Sequence, residues 1–206
     1  MTAAIVGLGT VVEAAAWWLV ASRRLRVWGA LAPALGALGV LALVAGPVAL
    51  SPAVAPATSA MVGVSAGVAL YLATRAFVFF ARPWRAFRRH ARAIYGERAG
   101  ESLGLALVIA VGAAVVGEEL FWRGLAQERL SATLGRTGGA AAGWIAYVAA
   151  NLPSMNLAIV AGAIVGGGTW VGLAFWTQGV LASLICHGVW TALMIAFPVV
   201  PAGESS

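Results

Sequence analysis

Residues 103–124 read LGLALVIAVGAAVVGEELFWRG, an apolar stretch that closes with three ionisable side chains. Because about 20 apolar residues suffice for a helix to cross a bilayer, the stretch predicts a membrane helix. Each carboxylate or guanidinium at bilayer depth costs about 2.5 to 3.5 kcal/mol on insertion scales, so such groups usually face a protein interior, a partner or water. We therefore expect the function of the chain to involve Glu118, Glu119 and Arg123.

The composition excludes several classes of protein and site. Hydrophobic residues make up 62% of the 206 residues and charged residues 10%, which indicates an integral membrane protein. All 13 basic residues are Arg and all 7 acidic residues are Glu, so the sequence has no Lys and no Asp. An intramembrane aspartyl protease and a Lys-dependent nucleophile are thereby excluded. With two His, one Cys and no HExxH motif, a zinc site built from several Cys and His is excluded as well.

Hydrophobicity along the chain predicts an all-α fold, a polytopic transmembrane helical bundle with about seven membrane segments. We expect one membrane domain over residues 1–206, divided into N-terminal helices at 1–81, a basic interfacial segment at 82–101 and a core at 102–197. The predicted segments are 3–21, 28–50, 58–81, 103–122, 138–152, 155–173 and 175–197.

The basic residues predict an orientation in the membrane. The net charge is +6, and six of the Arg lie within 82–98, beside an apolar segment. Their mostly three- and four-residue spacing is typical of an interfacial amphipathic helix on anionic headgroups, and we expect no nucleic-acid partner. By the positive-inside rule this segment and the Arg cluster at 23–26 are cytoplasmic, so Glu118 lies toward the outer leaflet. The Arg residues that follow it then lie outside, against the rule, unless 125–134 forms an interfacial helix.

Helical geometry separates the two glutamates. Glu119 and Arg123 are four residues apart, so they share a helix face and can pair, with the Glu preceding its cation in the favourable order. Glu118 points about 100° away and has no local countercharge, which makes it the candidate for a general base. The alternative is a buried ion-pair network that only fixes helix packing, and the spacing leaves both interpretations open.

Further polar residues occur at helical spacing in apolar surroundings. Tyr147 and Asn151 share one helix face, and His187 and Thr191 share another in the last segment. A single His in a membrane helix often only forms a hydrogen bond to a neighbouring helix. Glu13, in the first segment, is either an interface residue or a partner for an Arg, and the sequence does not decide between them.

One serine motif has a simpler interpretation. Gly63-Val-Ser65-Ala-Gly67 matches the G-x-S-x-G pattern, but that motif needs a turn between a strand and a helix. Here it lies within a predicted membrane helix. Small residues four positions apart instead predict close packing of two helices.

The first polar motif carries a family resemblance. Glu118 and Glu119, followed at the right spacing by Arg123 and Gly124, form a Glu-Glu-x-x-x-Arg-Gly pattern in a multispan apolar chain. Over about residues 103–197 the chain resembles the CPBP intramembrane proteases, which include the type II CAAX prenyl endopeptidases. The helices before this region match the family only in being hydrophobic.

Two later positions depart from the pattern of that family. Tyr147 and Asn151 stand where the family has aromatic-x-x-x-His, and His187 and Thr191 stand where it has His-x-x-x-Asn or Asp. Two of four expected site positions are therefore substituted. An amide and a hydroxyl can still form hydrogen bonds, so the resemblance allows these residues an electrostatic role.

The resemblance implies an intramembrane endopeptidase that hydrolyses a peptide bond of a membrane-associated or C-terminal-tail substrate. By analogy with the family, Glu118 activates the water, His187 and Asn151 complete the catalytic set, and the supporting residues are Glu119, Arg123, Thr191 and Tyr147. Zinc is possible in the family, but His187 and Glu118 are the only strong ligands that the sequence supplies, so we expect no metal and no other cofactor.

The expected partners are membrane lipids and a peptide or protein with a hydrophobic or C-terminal membrane-anchoring segment. We expect a multi-pass protein of the cell membrane, and the richness in Ala, Gly and Arg without Lys favours a bacterial inner membrane. Two alternatives remain open. One is a catalytically degenerate relative that binds a membrane peptide without cutting it, and the other is a small transporter with Glu118 as a proton relay.

Overall fold

A computed structural model describes residues 2–96 and 101–200, with only the backbone of Tyr95. Every regular element in these ranges is helical, so the predicted all-α fold is confirmed. The α-helices are α1 Thr2–Ala21, α2 Val27–Ala45, α3 Pro56–Ala81, α4 Arg85–Gly96, α5 Leu103–Leu107, α6 Val116–Glu119, α7 Gln127–Asn151, α8 Leu157–Thr177 and α9 Leu181–Ala196. Within the described ranges, the seven expected membrane segments correspond to α1, α2, α3, α8, α9 and the two arms of the long element from α5 to α7.

The long helices have the length and surface of membrane spans. Five helical stretches are long and apolar enough to cross a bilayer, and α9 is an additional, shorter apolar helix. Large apolar side chains cover their outer faces, for example Val11, Val44 and Phe80, which are 66%, 80% and 77% exposed. In water such a surface would be an unusually large apolar patch, but in a bilayer it contacts acyl chains.

Residues 103–124 belong to a helical element that folds back on itself. It runs through α5 and α6 and through two π-helical segments, Val108–Val115 and Leu120–Ala126, into α7. Gly135 has φ 74° and ψ 163°, outside the helical region, and reverses the chain there. Two of the predicted segments therefore come from one element. The residues after Arg123 form one arm of a tight hairpin, with Gly139 packed against Ser131, and not a separate interfacial helix.

The boundary between the last two helices differs from the prediction. The sequence placed it near residue 174, whereas α8 continues to Thr177 and α9 begins at Leu181. Gln178 adopts a left-handed conformation at φ 54°, which ends α8. The N–H groups of Val180 and Leu181 then donate to the carbonyls of Ala49 and Leu50 in the connection after α2. These contacts are long-range, so the apolar run itself contains no signal for the break.

Glycine contacts bring α3 against α9, as the small-residue spacing predicted. A Cβ at Gly63 would lie 2.8 Å from the Ala182 carbonyl oxygen, and a Cβ at Gly67 would lie 2.7 Å from the Cys186 carbonyl oxygen. Only residues without a side chain allow two helix backbones to approach so closely. The interpretation of the serine motif as a packing motif is therefore confirmed.

The helix α4 lies across the end of the bundle where α8 begins. The carbonyl of His90 accepts from Asn156 Nδ2 at 3.0 Å, and His90 Nδ1 accepts from the Leu157 N–H at 3.0 Å. Phe87 and Ala91 are buried, while most of the Arg side chains of α4 are exposed. The amphipathic character agrees with the predicted interfacial segment, whose residues 97–100 lie outside the described residues. Its position at a membrane surface stays a prediction.

Candidate active site

The two glutamates lie on α6, a single turn between the two π-helical segments. π-Helical insertions are rare and occur frequently at functional sites, because they change the direction in which the following side chains point. Glu118 and Glu119 are both buried, and so is Arg123 in the second π-helical segment. The apolar stretch has no local signal for these insertions.

An ion-pair cluster forms around Arg123. Its Nη1 lies 3.2 Å from Glu119 Oε1 and 3.9 Å from Glu118 Oε1. The predicted pairing of Glu119 with Arg123 is therefore confirmed. The expectation that Glu118 lacks a nearby countercharge is wrong, because the long guanidinium side chain reaches both carboxylates.

His187 joins this cluster from α9. Its Nδ1 lies 2.9 Å from Glu119 Oε1. Its ring stacks on the indole of Trp170, with the ring centroids 3.5 Å apart and an interplanar angle of 15°. Glu119 thus contacts a cation and an imidazole at once, and it serves to hold Arg123 and His187 in position.

Aromatic rings enclose the guanidinium. The Cζ atom of Arg123 lies 4.4 Å from the ring centroid of Tyr147 and 5.3 Å from that of Trp170. Such cation–π contacts strengthen when the cation is removed from water. The Tyr147 side chain also lies beside the carboxylate of Glu118. Tyr147 therefore contributes to the cluster through its ring and through its hydroxyl.

Glu13 is a member of the site whose role the sequence did not reveal. It is buried in α1, where Trp122 Nε1 donates to its Oε2 at 2.6 Å and Asn151 Nδ2 donates to its Oε1 at 2.8 Å. The sequence left open whether Glu13 is an interface residue or a partner for an Arg; its hydrogen bonds go to Trp122 and Asn151, and Arg123 lies near enough to interact with it electrostatically. A single carboxylate in an apolar segment indicates that Glu13 has buried partners. The sequence does not identify these partners, because they are more than 100 residues away along the chain.

The hydrogen bonds of Asn151 restrict what this residue can do. Its amide nitrogen donates to Glu13 and, at 3.0 Å, to the carbonyl of Tyr147. Both acceptors require the nitrogen at this position, so the amide orientation is well determined. In this geometry Asn151 has no N–H left for an oxyanion, contrary to the electrostatic role that the sequence allowed it.

A large cavity connects the predicted residues. Its volume is about 560 Å³, and most of its lining is apolar. It extends to α4 and to the end of α9, at the basic end of the bundle. Five of the predicted residues line it, namely Glu118, Tyr147, Asn151, His187 and Thr191, whereas Glu119 and Arg123 lie behind this wall.

Three groups of the cluster have the chemistry of metal ligands. Glu118, Glu119 and His187 place one ligand atom each within 4.8 Å of one another. The sequence had supplied only two such ligands, so Glu119 is an addition from the tertiary structure. The guanidinium of Arg123 already brings a positive charge to both carboxylates, so this donor set suits a cation only if the guanidinium withdraws.

Comparison with known families agrees with this arrangement. Residues 100–193 match the family described as type II CAAX prenyl endopeptidase Rce1-like. This part of the chain is similar to that family, and we call it the Rce1-like segment. The resemblance drawn from the Glu-Glu-x-x-x-Arg motif is thereby confirmed, and the Rce1-like segment contains every residue of the cluster except Glu13. Comparison with curated proteins and comparison with solved structures each give no match.

The similarity and the apolar helices support a multi-pass membrane protein related to CAAX proteases. This similarity concerns the family as a whole and names no substrate or catalytic residue. The Rce1-like segment includes α5 to α8 and most of α9, while α1, which carries Glu13, lies outside it.

Proposed function

We propose that this chain is an intramembrane endopeptidase in which Glu118 activates the hydrolytic water. One observation carries the proposal: the carboxylate of Glu118 faces a large cavity that His187, Tyr147 and Thr191 also line. Its Oε1 forms no hydrogen bond with any described residue, and this atom is buried 3.9 Å from Arg123 Nη1. Glu119, in contrast, is held by Arg123 and His187.

The chemistry follows from these positions. Glu118 takes a proton from water while the water oxygen bonds to the carbonyl carbon of the scissile peptide. The resulting tetrahedral intermediate collapses as the C–N bond breaks, and the proton passes from Glu118 to the leaving amine. The guanidinium of Arg123 lies near Glu118, and it stays in place because Glu119 and two aromatic rings hold it.

The negative charge on the carbonyl oxygen requires hydrogen-bond donors. Since Asn151 is bound to Glu13, the cavity offers the hydroxyls of Tyr147 and Thr191 and the imidazole of His187 instead. Preorganised donors of this kind contribute most when water is excluded from the site. We therefore assign the oxyanion role to these three side chains and a positioning role to Asn151.

The cavity suits a hydrophobic substrate. It has the volume of a typical ligand site, and apolar side chains of six helices, α1 to α4, α8 and α9, line it. A lipidated tail or an apolar peptide segment is able to enter between the helices without leaving the membrane. We infer a membrane-anchored or C-terminal-tail peptide as the substrate.

Cleavage by reconstituted protein tests the proposal. A panel of prenylated and unprenylated membrane peptides is incubated with wild type and with Glu118→Gln, which keeps the side-chain shape but removes the base. We expect Glu118→Gln to lower kcat by roughly 10²- to 10⁴-fold, the usual contribution of a general base. The matched control is Glu101→Gln, at a surface ion pair with Arg26, which should cleave at the wild-type rate. Equal cleavage by Glu118→Gln and wild type contradicts the proposal.

The hydrogen bonds of Asn151 to Glu13 and to the Tyr147 carbonyl support a second candidate function. If the oxyanion donors are insufficient without a second His, the chain binds membrane peptides without cutting them. Asn151→His then restores the residue that the family has at this position. Cleavage by Asn151→His, together with no cleavage by wild type on the whole panel, establishes this non-catalytic function and rejects the first.

A further inference from the structure

A second cavity lies at the opposite end of the bundle from α4. Its volume is about 320 Å³, and Ala49 and Pro52 after α2 and Gln178 after α8 border it. Arg123 and Gln127 also line it, deeper in the bundle. This cavity therefore leads from the connections at one end of the bundle to the ion-pair cluster.

Several buried polar atoms at the inner end of this cavity form no hydrogen bond with a described residue, although Arg123 has its ion pair with Glu119. Gln127 and Arg123 are 6% and 3% exposed. Gln127 Nε2 points to the Val171 carbonyl at 3.5 Å, which directs Oε1 elsewhere. Neither Gln127 Oε1 nor the three guanidinium nitrogens of Arg123 form a hydrogen bond with any described residue. Buried polar atoms are normally bonded, and water commonly serves where protein does not. A water accepts from a guanidinium and donates to an amide oxygen, so this pair suits it.

The two cavities reach neighbouring members of the cluster. Arg123 lines the second cavity, which we call the polar cavity, and Glu118 lines the larger cavity, which we call the apolar cavity. Arg123 Nη1 lies 3.9 Å from Glu118 Oε1. Hydrolysis uses one water for each bond, while a hydrophobic substrate in the apolar cavity covers Glu118 from that side. Water must then arrive from another direction.

We propose that the polar cavity is a solvent entrance that supplies the hydrolytic water to Glu118, with Gln127 as a positioning residue at its inner end. The use of the water rests on the proposed function, but the entrance itself does not. Substrate and water thus approach the cluster from opposite ends of the bundle.

Thiol labelling tests the entrance without requiring activity. The parent chain has one cysteine, Cys186, which is buried. Gln127→Cys is prepared in sealed vesicles and treated from each side with a small, charged, membrane-impermeant thiol reagent. The matched control is Ile145→Cys on the other arm of the hairpin, at similar depth because Gly143 packs beside Gln127, but with an outward-facing side chain that is 64% exposed.

We expect Gln127→Cys to react roughly tenfold or more faster than Ile145→Cys, because a thiol must ionise in water to become the reactive thiolate. The reaction should occur only from the side of the α2–α3 connection, and the parent chain should not react. Ala174→Cys, at a small buried position lining the same cavity, should behave as Gln127→Cys does and replaces it if the latter fails to fold. Labelling of these two variants no faster than Ile145→Cys, or only from the α4 side, overturns the proposal.

Kinetics separate the entrance from the proposed function. Labelled Gln127→Cys should show a lower kcat with an unchanged KM, because the substrate enters elsewhere. If no variant cleaves any peptide but the labelling pattern is as expected, the endopeptidase proposal fails and the entrance stands. If cleavage depends on Glu118 but Gln127→Cys does not react with the thiol reagent, the endopeptidase proposal stands and the entrance proposal fails.

Discussion

At the residue scale, the buried carboxylates have different partners. Glu119 contacts Arg123 and His187, and Glu118 shares the same guanidinium at a longer distance. Glu13 instead accepts two hydrogen bonds from neutral donors, Trp122 and Asn151. Buried charges persist only when they are paired or hydrogen-bonded, and these arrangements meet that requirement in two different ways. Of Glu118 and Glu119, only Glu118 lines the apolar cavity.

Replacing Glu13 tests whether it organises the site from outside the Rce1-like segment. In Glu13→Gln the amide has only one acceptor oxygen, so its NH₂ group must face either Trp122 or Asn151, donor to donor. We expect destabilisation by about 1 to 3 kcal/mol, the cost of leaving a buried donor unpaired. Denaturant unfolding in detergent measures it. Glu101→Gln, at a surface pair, should change stability by less than about 1 kcal/mol. Equal effects of the two substitutions contradict this role of Glu13.

The three possible metal ligands beside Arg123, which are Glu118, Glu119 and His187, lead to a prediction about metal dependence. Because the guanidinium of Arg123 already brings a positive charge to Glu118 and Glu119, we expect peptide cleavage to proceed without a divalent cation. Dialysis against a strong chelator should leave kcat and KM unchanged. A loss of activity on chelation that added zinc restores would show that the three ligand-capable groups bind a metal after all.

At the element scale, close contact between α2 and α6 positions the glutamates. A Cβ at Gly39 would lie 2.6 Å from the Cα of Gly117, and Gly117 itself packs on the backbone of Leu35. Glu118 follows Gly117 directly, so the crossing of these two helices determines where its carboxylate lies. Small residues at such crossings allow the approach, because lipid provides no hydrophobic drive for helix association.

Adding a methyl group at this crossing should displace the site. Gly117→Ala forces α2 and α6 apart, and overpacking of this kind typically costs about 1 to 3 kcal/mol. We expect lower thermal stability in detergent together with reduced cleavage. Gly112→Ala provides the control, because a Cβ there meets no atom within 4 Å and Ala is the better helix former. Stability at or above wild type for Gly117→Ala would show that the crossing tolerates a side chain.

At the scale of the whole molecule, the two ends of the bundle differ in charge and in their cavities. The α4 end carries the exposed Arg residues of α4 and the apolar cavity, and the other end carries the polar cavity. Arg129 and Arg136 at this second end donate to the carbonyls of Ala45 and Phe175, close to the ends of α2 and α8. Cations at helix C-termini are favourable for local reasons. These two Arg therefore need not follow the positive-inside rule.

The orientation of the molecule can be measured directly. We expect the α4 end to face the cytoplasm, as the charge pattern predicts. Arg89→Cys, exposed on α4, should react with an impermeant thiol reagent only in inverted vesicles. Pro52→Cys, exposed in the α2–α3 connection, should react only in right-side-out vesicles. The reverse pattern would place the polar cavity on the cytoplasmic side.

The fold and part of the site follow from local patterns in the sequence. Hydrophobicity predicted the helices because each membrane segment must satisfy its own backbone hydrogen bonds. The spacing of Glu119 and Arg123 predicted their pairing because it depends only on helical geometry. The boundary at Gln178 was not predictable in this way, since backbone contacts with the α2–α3 connection accompany it.

The sequence by itself determined the membrane class, the helical fold and the Glu-Glu-x-x-x-Arg motif, because burial cost and helix periodicity act over a few residues. Only the tertiary structure decided that Arg123 reaches both carboxylates, that Glu13 holds Asn151, and that one cavity reaches Arg123 while another reaches Glu118. These features depend on contacts between residues far apart in the chain. Such contacts exist only once the helices have packed, and no local pattern encodes them.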